Sequence, residues 1–294
     1  MPEFLEVHDQ ELQRIVPEGA TLERVAGGLG FTEGPVWRGD HLVFSDIPRN
    51  RICRLDLRPE GPELRTFRTP SGNSNGLTLD RQGRLIACEH GNRRVSRTEA
   101  DGSVIALAER YDGKRLNSPN DVVVKSDGSV YFTDPPYGLR NHTEGKELPF
   151  NGVYRLAADG TLALLADDFE RPNGLAFSPD ERTLYVDDSA RHHIRAFSVR
   201  GDGTLAEGRV FAEIKSSDPG VPDGMKVAAD GTVFCTGSGG IWVLHPDGAL
   251  LGRIRPPEVP ANLAWGESDR QTLFITAQTS VYRIRLNVVG IAVG

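Results

Sequence analysis

The sequence predicts an all-β fold: a six-bladed β-propeller of four-stranded antiparallel blades, its ring closed by an N-terminal strand. Three observations predict it. A Gly-flanked Asn, Asp or Glu, followed by an apolar run, a turn and a second apolar run, recurs along the 294 residues. The apolar runs are short and are punctuated by 33 glycines and 19 prolines, which suits strands and turns and disfavours long helices. The repeats span about 40 to 53 residues with internal Asp-Gly turns, the period of propeller blades.

Residues 1–20 read as an irregular or weakly helical lead-in, and residues 21–26 as a strand with no partner of its own. The first unit opens at Glu33-Gly34-Pro35-Val36-Trp37 and the second at Asn75-Gly76-Leu77. The third opens at Asn120-Asp121-Val122 and carries a polar insertion over residues 135–150. The fourth, Arg171-Pro172-Asn173-Gly174-Leu175-Ala176-Phe177, is the clearest copy, and the fifth opens at Asp223-Gly224-Met225. The sixth, Asn262-Leu263-Ala264-Trp265, lacks the glycine and has only three strands, so Asn262 is left out of the candidate site. Residues 21–26 supply the missing strand and close the ring, which protects both sheet edges. One domain over residues 1–294 follows.

Composition narrows the function. A net charge of -7 argues against nonspecific nucleic-acid binding. Cys53, Cys88 and Cys235 are scattered and form neither a disulfide framework nor a CxxC metal site. No apolar stretch reaches membrane-spanning length, and the N-terminus does not read as a secretory signal, so a soluble, cytoplasmic protein is expected. There is no G-x-S-x-G elbow, H-E-x-x-H helix or phosphate loop.

Strand alternation puts the start of each innermost strand and the end of each second strand on one face. Glu33, Asn75, Asn120, Asn173 and Asp223 should therefore converge on one channel mouth. Asn75 reads as a turn residue. Two carboxylates among amides are more than turn chemistry: they make a hard oxygen site suited to calcium, and less well to magnesium or manganese. So small a ligand set leaves a position open for substrate or water, as a hydrolytic metal requires. The same face should carry Asp46, Glu89, His90, Arg93, Arg94, Asp134, Asp187 and Asp188, and the insertion with Tyr137, Arg140, His142 and Glu144, whose length fits a substrate-gripping loop.

These motifs, in this order, resemble the family of gluconolactonase, regucalcin (senescence marker protein) and luciferin-regenerating enzyme, and the bacterial gluconolactonases in particular. Glu33-Gly34-Pro35, Ser118-Pro119-Asn120-Asp121, Arg171-Pro172-Asn173-Gly174 and Pro222-Asp223-Gly224-Met225 carry the likeness. It implies one divalent cation on Glu33, Asn173 and Asp223, calcium first, with magnesium, manganese or zinc as alternatives. It further implies Asp223 and Asn120 as catalytic residues, with substrate held by Asn120, His90, Arg93, Tyr137 and His142. Regucalcin-like members have an arginine where this chain has Ser118. The implied reaction opens an aldonolactone such as gluconolactone to its acid, with Asp223 or hydroxide on the cation as base. Another small lactone or ester, an organophosphate included, and a noncatalytic calcium- or protein-binding propeller are the competing readings. The partner expected is a small sugar lactone, with neither nucleic acid nor membrane, on a monomer or weak homodimer.

Overall fold

A computed structural model describes residues 2–293; Met1 and Gly294, the bounds of the expected lead-in and domain, lie outside the described residues. Among the described residues six antiparallel sheets are arranged as the blades of a propeller, and a separate two-stranded hairpin pairs Arg110–Tyr111 with Lys114–Arg115. The first blade runs outward from Thr32–Arg38 through His41–Asp46 and Arg51–Arg58 to Gly61–Arg68, each strand pairing with the next. The next four innermost strands are Ser74–Leu79, Val122–Val124, Pro172–Phe177 and Met225–Val227, and the sixth is Pro260–Gly266. Glu23–Ala26 pairs antiparallel with Ser280–Arg285 and completes the sixth blade, closing the ring as expected.

Apolar side chains between neighbouring sheets form the core. One cluster joins the fifth and sixth blades through Phe234, Ile241, Trp265 and Ile275; another joins the first two through Val36, Val43, Leu77 and Ala87. Innermost strands are buried on both faces, which is why Ser-Asn-Gly-Leu-Thr-Leu and Pro-Asn-Gly-Leu-Ala-Phe are buried throughout.

The blades meet at a repeated contact. A hydroxyl near the end of a second strand donates to the main-chain carbonyl of the next blade's key residue: Ser45 to Asn75 at 2.8 Å, Thr133 to Asn173 at 2.8 Å and Thr236 to Ala261 at 3.1 Å. Where a glycine follows the key residue, in four of the six blades, it lies against the same carbonyl. A Cβ on Gly34 would stand 2.1 Å from Asn75 O, one on Gly76 2.5 Å from Asn120 O, and one on Gly174 2.0 Å from Asp223 O.

This contact sets the register of the sixth copy. Gly224 N donates to Ala261 O at 2.7 Å, as Gly76 N does to Asn120 O at 2.8 Å. Ala261 therefore stands at the position of Asn75, Asn120 and Asn173, and Asn262 stands one further on, where four blades carry glycine. Asp121 holds the same position in the third blade.

The lead-in differs from expectation. Leu5–Val7 adds a fifth strand to the outer edge of the fifth blade, pairing with Leu250–Ile254. The short helix Leu12–Ile15 buries Leu12 and Ile15 in the core beside it. Arg253 fastens this edge through Glu6, with Nε to Oε2 at 3.0 Å and Nη2 to Oε1 at 2.9 Å. Three residues carry no periodicity of their own, so an edge addition of this kind is not visible in a repeat pattern. Among the described residues no helix is long and apolar enough to cross a membrane.

Candidate functional site

Glu33, Asn120, Asn173 and Asp223 each lie at the mouth end of an innermost strand and are buried or nearly so. The Asp223 side chain has those of Asn173 and Glu33 as neighbours. Asn173 Nδ2 donates to Ser189 Oγ at 3.1 Å, and Ser189 Oγ donates to Pro222 O at 2.7 Å. The fourth blade is thus tied to the residue preceding Asp223, and Asn173 Oδ1 takes no hydrogen bond from the described residues. Glu33 Oε2 accepts from the Gly34 amide and, at 3.0 Å, from Asn262 Nδ2.

Asp121 and Asp187 stand beside this group. Asn262 Nδ2 also lies 3.4 Å from Asp121 Oδ2, and Asp187 Oδ1 is buried without a partner among the described residues. Burial raises the Asp223 carboxyl well above the usual range, and the charges of Glu33 and Asp121 raise it further. Burial and the charge of Asp121 likewise raise Glu33, while burial and the charge of Asp223 raise Asp187. Four carboxyl groups taken out of water together call for positive charge at their centre.

Tyr137 brings the insertion to this mouth. Its hydroxyl is within reach of Ser189 and in the field of Asp223, and burial raises its pKa. The Arg171 guanidinium lies 5.5 Å from the Tyr137 ring centre, and the His142 ring meets Tyr137 edge-on at 5.8 Å. His90 is buried, its Nε2 3.2 Å from Asn75 Nδ2, so Asn75 is more than a turn residue: it orients His90. Burial pulls the His90 pKa down to about 4, leaving a neutral ring near neutral pH.

Arg93 is tied to main chain around the insertion. Its Nε donates to Leu116 O at 2.8 Å and Asn117 O at 3.0 Å, and its Nη1 to Gly145 O at 2.8 Å, so the guanidinium clamps the base of the insertion. Ser118 does similar work, donating to Pro135 O at 2.6 Å and accepting from Gly138 N at 2.8 Å. The position where regucalcin-like members carry arginine thus anchors the insertion here. Acids at the second-strand ends are also committed to the scaffold. Asp46 pairs with Arg51 at 3.0 Å and Glu89 with Arg94 at 2.7 Å. Asp134 accepts from Asn117 N at 2.7 Å, and Asp188 from Glu170 N at 2.8 Å and Arg171 N at 3.0 Å.

Sequence reasoning missed Asp121, Asn262, Ser189 and Lys226 in this neighbourhood. The signal for the first two was present as the missing glycine in the third and sixth copies. Lys226 Nζ donates to Met225 O at 2.9 Å and to Asn262 Oδ1 at 3.3 Å. A cavity of about 360 Å³ opens at the opposite end of the channel, lined by Val36, Leu77, Val122, Phe177 and Lys226. Its walls are mainly apolar, and the grouped carboxylates and amides lie at the other mouth.

Residues 31–279 match the family model described as the SMP-30/gluconolactonase/LRE-like region. The chain belongs to this family. A gluconolactonase of Zymomonas mobilis is 36% identical over 95% of this chain and 85% of its own length. The pentonolactonase XacC of Haloferax volcanii is 31% identical over 83% of this chain and 80% of its own. The solved structure of a Xanthomonas campestris gluconolactonase superposes with a TM-score of 0.87 at 38% identity, covering 97% of this chain and 95% of that one.

Proposed function

We propose that this propeller hydrolyses a sugar lactone with the help of one divalent cation held by Glu33, Asn173 and Asp223. Lactonase-type hydrolysis of a small substrate is supported by similarity to two lactonases over most of their length. The observation that carries the site is the approach of Glu33, Asn173 and Asp223 at one mouth, each from a different blade. Among the described residues no three or more His, Cys, Asp and Glu side chains stand ready to hold a metal. The set proposed has two such side chains and an amide oxygen as its third donor. Its donors fit a hard cation: all are oxygens, Asn173 Oδ1 has no donor among the described residues, and mutual repulsion of the buried carboxylates is relieved by positive charge. Calcium suits it best, with magnesium, manganese and zinc as substitutes.

When bound, the cation would polarise the lactone carbonyl and stabilise negative charge on its oxygen. The chain's own residues do the rest. Tyr137 and His142 from the insertion, with Asn120 and neutral His90, line the approach and orient a hydroxyl-rich ring. Asp223, kept ionised by the cation, is placed to accept a proton from the attacking water on the carboxylate oxygen that the cation leaves free. The water oxygen bonds to the carbonyl carbon, the ring carbon–oxygen bond breaks, and the departing ring oxygen takes a proton to give the open hydroxy acid. The polar rim favours an aldonolactone over an apolar lactone.

Asp223→Asn should lower gluconolactone turnover in a pH-stat assay at least about a thousandfold with the fold retained. Full activity of that variant would overturn the assignment. Exhaustive chelation should abolish activity and calcium should restore it; undiminished turnover after chelation would overturn the metal reading.

A further inference from the structure

Four innermost strands carry glycine where the next blade's carbonyl approaches, and two carry a polar side chain instead. Those two, Asp121 and Asn262, project into the channel and meet there, Asn262 Nδ2 lying 3.4 Å from Asp121 Oδ2 and 3.0 Å from Glu33 Oε2. The other end of the same amide is occupied as well: Asn262 Oδ1 accepts from Leu263 N at 2.8 Å and from Lys226 Nζ at 3.3 Å. One planar side chain therefore joins an ammonium on its oxygen side to two carboxylates on its nitrogen side.

Lys226 lies on the innermost strand Met225–Val227, just after Asp223. Its ammonium makes no ion pair within 4.0 Å of a carboxylate among the described residues, so its charge reaches the acids across the amide and through space. That is a costly place for a lysine unless the charge is used, because the channel walls below it are mainly apolar. Its positive charge faces Glu33 and Asp121 across the Asn262 amide.

We infer that Lys226 is a built-in counter-cation of the channel, which through Asn262 keeps the carboxylate cluster tolerable without a divalent cation and, by the same charge, weakens the binding of one. This rests on the divalent-cation reading above. A fixed positive charge close to a divalent site opposes ligand entry by Coulomb repulsion in a poorly screened interior. The lysine therefore exchanges affinity for stability of the cation-free form, and a cation held less tightly is easier to release and replace.

The test measures calcium binding by isothermal titration, and thermal unfolding with and without calcium, for wild type, Lys226→Met and Lys226→Arg. Lys226→Met should bind calcium about tenfold more tightly or better. Its unfolding midpoint without calcium should fall, and saturating calcium should return it to the wild-type level or above. Lys226→Arg, which keeps the charge, should bind within about threefold of wild type. The opposite movement of affinity and cation-free stability is the signature, since loss of packing alone would lower both. Unchanged or weaker binding by folded Lys226→Met, with wild type binding normally, overturns this inference alone. If Lys226→Met does not fold without calcium, Lys226→Gln is titrated in its place against the same criterion. A wild type that binds no divalent cation overturns the metal reading on which the inference stands.

Discussion

Replacing Gly174 with alanine tests whether the glycine of the repeat exists to let adjacent blades touch. The new Cβ would stand 2.0 Å from Asp223 O, 2.7 Å from Asp187 Oδ2 and 3.0 Å from Gly224 Cα. Ordinary contact begins at about 3.4 Å, so the carbonyl of Asp223 must retreat by about 1.4 Å. The obstacle is main chain inside the ring rather than the end of a flexible side chain, which puts the cost at or above the upper end of the overpacking range, about 3 kcal/mol. The displaced carbonyl belongs to a proposed ligand and base, and a misplacement of about 1 Å at a reacting group costs roughly a hundredfold in rate. Gly160→Ala supplies the control: Gly160 has φ +88° and nothing within 4 Å of its would-be Cβ. It should lose about 1 kcal/mol through backbone strain and keep full activity. Urea unfolding and lactone turnover are measured on both variants. A Gly174→Ala protein that loses less than about 1 kcal/mol and keeps wild-type kcat/KM would refute the argument.

Arg93→Ala should loosen the insertion, because buried carbonyls of Leu116 and Asn117 and the carbonyl of Gly145 lose their donor. A stability loss of about 2–4 kcal/mol and faster proteolytic cleavage within residues 135–150 are expected, with KM raised more than kcat is lowered. An uncleaved insertion and unchanged KM would count against the clamp. His90 makes a pH prediction, its pKa falling from the ordinary 6.5 to about 4 because burial disfavours the charged ring. The folded form binds fewer protons than the unfolded one between these values, so stability falls as pH drops through this window. Between pH 7 and pH 4.5 the loss from this group is about 2–3 kcal/mol, and His90→Gln should remove it. Asp134 works in the opposite sense: burial pushes it up to about 7 from 3.8, the folded form keeps the proton, and stability falls as pH rises between those values. Comparing wild type with His90→Gln at each pH subtracts the Asp134 contribution, and identical pH dependence of the two proteins would refute the buried neutral histidine.

The repeat pattern alone is enough to predict the propeller and its closure by a strand within residues 21–26, observed as Glu23–Ala26, and to direct the starts of the innermost strands to one face. A repeat period counts blades, and strand alternation sends every key residue to one face; both are local properties that survive without knowing any distance. What depends on neighbours is set by the folded ring. The Gly-to-carbonyl contact between blades shows that Ala261, not Asn262, aligns with Asn173, and it brings Asn262 to Glu33. Arg93 became a clamp because the carbonyls it binds come from residues 116, 117 and 145, far along the chain but close in space. Lys226 reads in sequence as one lysine in a strand, and it acquires meaning only when the sixth blade sets Asn262 between its ammonium and the carboxylates of two other blades. Periodicity encodes which way a side chain points; the partner it finds there is fixed by ring closure.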